Sequence, residues 1–191
     1  MGLFGRLFGR DTPRWLENWA VFPGDAGDHF AMYCVDLGAV AAAPVAGLPI
    51  RLDVEVRFAA REDGMPADGH LTVVQRFEEV VSAEARDRGG AYVGRMIVDG
   101  ACRYSAYLPA VPVRPFALPR DDFAPVVTTV SDAGWVHLRD VLGPDAEQWH
   151  IIRDMGVVRA LLDHGDQLEQ ERAVDFEAEF DNRASAEAAA A

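Results

Sequence analysis

Residues 51–59, RLDVEVRFA, alternate strictly, with Leu52, Val54, Val56 and Phe58 on one side and charged residues on most of the other. That period of two predicts a strand with one face in a core. Two similar runs precede it, ENWAVFPGD at 17–25 and HFAMYCVDLGA at 29–39, and the Gly-containing turn between them predicts a hairpin. The pattern then changes period. Leu71, Val74, Phe77, Val81 and Ala85 recur at helical spacing, predicting a helix over 71–86 that Gly89-Gly90 ends. The preceding EDGMPADG at 62–69 is turn chemistry, with Asp68 expected to cap the helix. AYVGRMIV and ACRYSAYL then flank Asp99-Gly100, a strong local hairpin pattern. The order predicted for residues 14–110 is β-β-β-α-β-β.

Residues 109–125 hold prolines at 109, 112, 115, 119 and 125. That density predicts a stiff, extended connection, so 111–125 is expected to be a linker between two modules. The second, 126–182, would begin with the strand VVTTVSD at 126–132. A helix from Gly134 to about Leu142 follows, with Trp135, Leu138 and Leu142 on one face and Gly143-Pro144 as its stop. QWHIIRD at 148–154 reads as a strand, GVVRALLDHG as a helix, and ERAVDFEAEFD at 171–181 as a strand alternating Val174, Phe176 and Phe180 with carboxylates. This β-α-β-α-β order suits a small ferredoxin-like sheet with one open face. The fold class expected is α+β: two small sandwich modules of antiparallel or mixed sheet with helices on one face, between flexible tails at 1–13 and 183–191.

Charge adds an asymmetry. The 191 residues carry a formal net charge of -13. Residues 1–120 hold 15 acids and 13 arginines, whereas 121–191 hold 16 acids and 5 arginines. A field of that sign repels nucleic acid and anionic membrane and attracts cationic surfaces, so a basic protein is the expected partner. Every basic side chain other than histidine is arginine, which excludes a lysine Schiff base and a P-loop lysine. No apolar run is long enough to span a bilayer, and LGAVAAAPVAGLPI at 37–50 suits a loop or hairpin. The N-terminus lacks a secretory pattern, so a cytoplasmic location is expected. Its LFGR-LFGR repeat at 3–10 reads as a frayed or partner-docked tail. Cys34 and Cys102 lie in strand-like segments without metal spacing and are expected to be free thiols.

The candidate partner-binding residues are the acids of the C-terminal stretch: Asp163, Asp166, Glu169, Glu171, Asp175, Glu177, Glu179 and Asp181. Neighbours on one strand face stand roughly 6.5 to 7 Å apart, too far for adjacent pairs to share a metal ion. That spacing can instead imitate a phosphate backbone toward arginines that grip RNA, or simply keep a strand from pairing edge to edge. No cofactor or metal is expected. His164-Gly165-Asp166 fits a helix end, no serine sits in G-x-S-x-G, and GGAYVG at 89–94 fails the dinucleotide spacing. An alternative site is Arg95, Arg103 and Tyr104 on the second hairpin, which could receive a small anionic ligand or serve an enzymatic module.

Spacing over whole modules adds a family likeness. Trp19, the Asp63-Gly64 turn, Val93-Gly94-Arg95 and Gly100 with Arg103 and Tyr104 resemble the bacterial domain of unknown function 695 family. Trp135, Leu138, Leu142, Pro144, Leu161-Leu162, Gly165-Asp166, Arg172, Val174-Asp175 and Phe180 resemble the family of regulators of ribonuclease E activity, type B. The chain departs from these patterns at Ile97, where the first tends to show Thr, and at Phe176-Glu177, where the second tends to show His-Trp. The likeness implies a cytoplasmic, non-enzymatic α+β protein and, from the second family, an acidic inhibitor of an RNA-degrading endonuclease. For the first module it implies no function.

Overall fold

The computed structural model describes residues 15–67, 69–119, 123–167 and 182–183. It falls into two units, 1–153 and 154–191. The first is built on one six-stranded sheet: β1 (Trp19–Ala26), β2 (His29–Asp36), β3 (Ile50–Arg57), β4 (Ala91–Val98), β5 (Ala101–Leu108) and β6 (Val126–Ser131), in the order β1-β2-β4-β5-β3-β6. Every neighbouring pair is antiparallel. The helices are α1 (Leu37–Ala42), α2 (Leu71–Asp87) and α3 (Ala146–Asp163), with a π-helical turn at Leu138–Leu142.

The strands up to β5, and α2, follow the predicted order. Asp99 and Gly100 have φ of 46° and 70°, the left-handed pair that a two-residue hairpin with matched twist requires. Residues 37–42, expected as loop or hairpin, form α1 because the Asp36 carboxylate accepts from Gly38 N at 2.9 Å and caps them. Helix α2 buries Val74, Phe77, Val81 and Ala85, whereas Leu71, expected on that face, is exposed at the first turn. Its N-cap is His70, while Asp68 lies outside the described residues.

Helices were expected on one face of the sheet, but both faces are covered. Cys102, Tyr104, Ala106 and Leu108 of β5 pack with Phe77 and Val81 of α2. On the other side Tyr107, Met96 and Val93 pack with Phe22, Tyr33, Ala39, Trp135, Leu138 and Leu142. The central strands carry apolar residues in both directions, and a strand of that kind must be covered twice. A bulge between Tyr92 and Gly94 sets this division in β4. It sends Val93 to the second face and leaves Tyr92 and Arg95 both toward α2. Only glycine fits the bulge, because a Cβ at Gly94 would lie 2.6 Å from Cys34 O.

The Pro-rich stretch does not end the sheet. β6 follows it and pairs with β3, Val127 opposite Val54 and Thr129 opposite Leu52. Trp135, Leu138 and Leu142 are buried as their spacing predicts, but in the core of the N-terminal sheet. The strand expected at 148–154 is helical. Asp145 N donates to Gln148 Oε1 at 2.9 Å and Gln148 N to Asp145 Oδ1 at 2.8 Å, a reciprocal capping box that starts α3. One helix therefore replaces the expected strand-helix pair, and the ferredoxin-like order is not formed by residues 126–163. The strand expected at 171–181 lies outside the described residues.

Candidate functional site

Arg95, Arg103 and Tyr104 do not converge. Tyr104 is fully buried and its hydroxyl donates to Val74 O at 2.9 Å. Arg95 faces α2 and pairs with Glu78. Arg103 points to the opposite face and pairs with Glu55 at 2.6 Å. Each cation is thus neutralised, and no joint anion site is formed by the three. Of the acidic candidates, Asp163 is the last residue of α3 and Asp166 follows it. Glu169, Glu171, Asp175, Glu177, Glu179 and Asp181 lie outside the described residues.

A groove of about 540 Å³ opens beside Arg95 instead, between the segment entering β1, the polar side of α2 and the start of β4. Its walls are aromatic. Trp19 stacks on Tyr92 with centroids 5.6 Å apart and planes 23° apart, and Trp15 completes the lining. Its rim is acidic: Glu17, Glu78 and Glu79, against Arg86. Each wall is anchored. Trp15 Nε1 donates to Asp36 Oδ2 at 2.6 Å, and Asn18 N donates to Asp36 Oδ1 at 2.8 Å. Tyr92 donates its hydroxyl to Glu78 Oε1 at 2.9 Å. Burial holds that phenol well above its usual pKa, and the Glu78 charge adds to the effect, so Tyr92 stays a neutral donor. Arg86 reaches back along α2 to Ser82 Oγ at 2.8 Å, while Glu79 makes no hydrogen bond or ion pair among the described residues.

This groove draws on three separate segments, so no single periodicity marks it. One partial trace is visible: Glu78, Ser82 and Arg86 form an i, i+4 polar row on α2.

The second face of the sheet carries a partly buried polar cluster. Asp53 accepts from Ser105 Oγ at 2.8 Å and from Arg51 Nε at 2.9 Å. Asp132 accepts from Tyr107 OH at 2.7 Å, Val136 N at 2.9 Å and His137 N at 3.1 Å. Burial raises the Asp132 pKa, but these donors outweigh it and hold the carboxyl below its usual range. His137 Nε2 is buried without a hydrogen-bond partner. Burial pushes this imidazole below its ordinary pKa and Arg51 adds to that, with Asp53 and Asp132 opposing. Ser105 is inaccessible and donates its hydroxyl hydrogen bond to the Asp53 carboxylate rather than to His137, so the Ser, His and Asp residues here do not make a nucleophilic triad. The described residues hold no metal-ligand cluster and no helix long and apolar enough to cross a membrane.

These features define an antiparallel α+β sheet protein with an aromatic, acid-rimmed groove. Residues 17–110, just under half of the chain, match the model of a family of unknown function, DUF695, which supports an N-terminal DUF695 module. The match spans β1 through β5 and includes the Gly94 bulge, the Gly100 turn and all of the groove except Trp15. No curated protein and no solved structure matches the chain.

Proposed function

We propose that this is a non-enzymatic cytoplasmic interaction protein that binds a basic protein through the acids of its C-terminal stretch. The observation that carries the reading is how the chain disposes of its own cations. Arg51, Arg57, Arg61, Arg88, Arg95 and Arg103 all pair with carboxylates of the N-terminal half. Arg51 also reaches across, to Asp132 at 3.9 Å, but these arginines do little to balance residues 121–191, which hold 16 acids against 5 arginines. The residual field is negative and recruits a cationic surface over a screening length of about 8–10 Å. Asp163, Asp166, Glu169, Glu171, Asp175, Glu177, Glu179 and Asp181 are its densest stretch. The likeness of residues 135–180 to regulators of ribonuclease E activity supports an RNA-processing endonuclease as the partner class, whose RNA-gripping arginines a carboxylate row would engage in place of phosphates.

The competing reading, a small-anion site at Arg95, Arg103 and Tyr104, loses support from the pairing of both arginines and the burial of the tyrosine. The test is capture from the host lysate at low and high salt, then titration against the purified endonuclease. Wild type is compared with Asp175→Asn, Glu177→Gln, Glu179→Gln. A basic partner lost from the triple variant and released by salt supports the proposal; binding that ignores both salt and the substitutions refutes it.

A further inference from the structure

The groove beneath α2 has a chemistry of its own. Its aromatic surface is open on one side: Trp19 is 41 % exposed although one face of its ring stacks on Tyr92. A carboxylate is fixed beside that ring, because Trp19 Nε1 donates to Glu17 Oε2 at 3.2 Å. Across the groove Glu79 offers a second carboxylate with no partner among the described residues, while Arg95 already neutralises Glu78. A cation over an indole face is attracted by the ring quadrupole, and two carboxylates supply the countercharge.

We infer that this groove receives an arginine side chain of the basic partner, its guanidinium stacked on Trp19 and held by Glu17 and Glu79. Shape favours arginine over lysine. A planar guanidinium stacks on an aromatic face and offers donors in a fixed fork, whereas an ammonium is a compact, strongly hydrated point charge. The fold builds the same arrangement internally, where Arg88 lies 4.4 Å over the Phe116 ring and pairs with Glu84. The occupant is cationic because, with Glu78 paired to Arg95, the lining still sets Glu17 and Glu79 against the single charge of Arg86, which is turned to Ser82. The volume of about 540 Å³ admits such a side chain with its flanking backbone. The inference rests on the proposed basic partner for the source of the arginine, but not on the C-terminal acids for the binding.

Titration of the full chain with a short arginine-bearing peptide, its lysine counterpart and its neutral citrulline counterpart tests this, followed by tryptophan fluorescence. The arginine peptide is expected to bind about ten-fold more tightly than the citrulline form, with lysine between them. Glu79→Gln and Trp19→Ala should each weaken arginine binding about five-fold or more while leaving the far-UV circular dichroism unchanged. The triple variant at 175, 177 and 179 should leave it unaltered, so loss of partner capture in that variant and loss of peptide binding in the groove variants report separately. Equal binding of arginine and citrulline peptides, or wild-type affinity in Glu79→Gln, overturns the inference. So does tighter peptide binding in Arg6→Gln, Arg10→Gln, Arg14→Gln, which would make the chain's own arginines the occupants. A dimer that the peptide dissociates would make a second copy the occupant and overturns it equally.

Discussion

Tyr107 and Trp135 stack almost parallel, their ring centroids 4.0 Å apart and their planes 12° apart, although five prolines separate them in the chain. The contact welds the residues after the Pro-rich stretch to the central strand of the sheet. Trp135 is fully buried, donates Nε1 to Leu48 O at 2.9 Å and meets Trp15 edge-on at 6.0 Å. It holds a φ of 54°, a left-handed conformation that costs an L-residue of order 1–3 kcal/mol and persists only where surrounding contacts outweigh it.

Trp135→Ala is therefore expected to destabilise the sheet that residues 17–110 build, by about 3–5 kcal/mol. Urea unfolding followed by far-UV circular dichroism should show one transition with a lowered midpoint. If 126–142 formed a separate module, the main transition would stay in place and a second, weaker one would shift.

How far the sequence discloses this architecture follows from what periodicity encodes. Strict alternation in 51–59 and the Asp99-Gly100 pair identify strands and a hairpin because each is a local property of the chain. The partner of a strand is not local: VVTTVSD is recognisable as a strand, but its pairing with β3 depends on where Trp135, Leu138 and Leu142 find cover. At 148–154 the strand expected for QWHIIRD loses to the Asp145-Gln148 capping box, a helix start visible in the sequence as D-x-x-Q. The groove is the least legible feature, since Trp19, Glu79 and Tyr92 come from different elements and their meeting depends on the bulge at Gly94.

His137 gives the fold a pH dependence. Arg51, Asp53, Asp132 and Arg103 surround it, and burial with the nearby arginines holds its folded-state pKa below the ordinary imidazole value. The unfolded chain thus binds the proton more readily. Stability is complete above the unfolded value of about 6.5 and falls as pH drops through the window down to the folded value. Chemical denaturation from pH 7.5 to 5 should show this decline, and His137→Gln should flatten it. An unchanged slope in the variant would assign the decline to other groups.

Cys102 is fully buried within the α2 core, and burial pushes its thiol pKa up to about 12. Cys34 is partly buried, and burial also raises its thiol, against the opposing Arg95 charge. The thiolate is the reactive form, so alkylation at pH 8 should modify Cys34 slowly and Cys102 only on unfolding. Mass spectrometry after timed iodoacetamide treatment gives the order; early modification of Cys102 would show that α2 opens without global unfolding.

Asp36 couples the fold to the groove. Its buried carboxylate accepts from Trp15 Nε1, Asn18 N and Gly38 N, so it holds the segment entering β1 and caps α1 together. Asp36→Ala should cost about 2–3 kcal/mol, because two backbone N–H groups and one indole lose their acceptor. It should also weaken the arginine peptide, since Trp15 is released from the groove wall, while Glu79→Gln weakens the peptide without the stability loss. Asp36→Asn keeps an acceptor oxygen and should recover part of both. Measured side by side, thermal midpoints and peptide affinities separate a wall held in place from a carboxylate that contacts the ligand. Normal peptide affinity in Asp36→Ala, with the expected fall in midpoint, would remove Trp15 from the binding surface and leave Trp19 and the two glutamates to carry it.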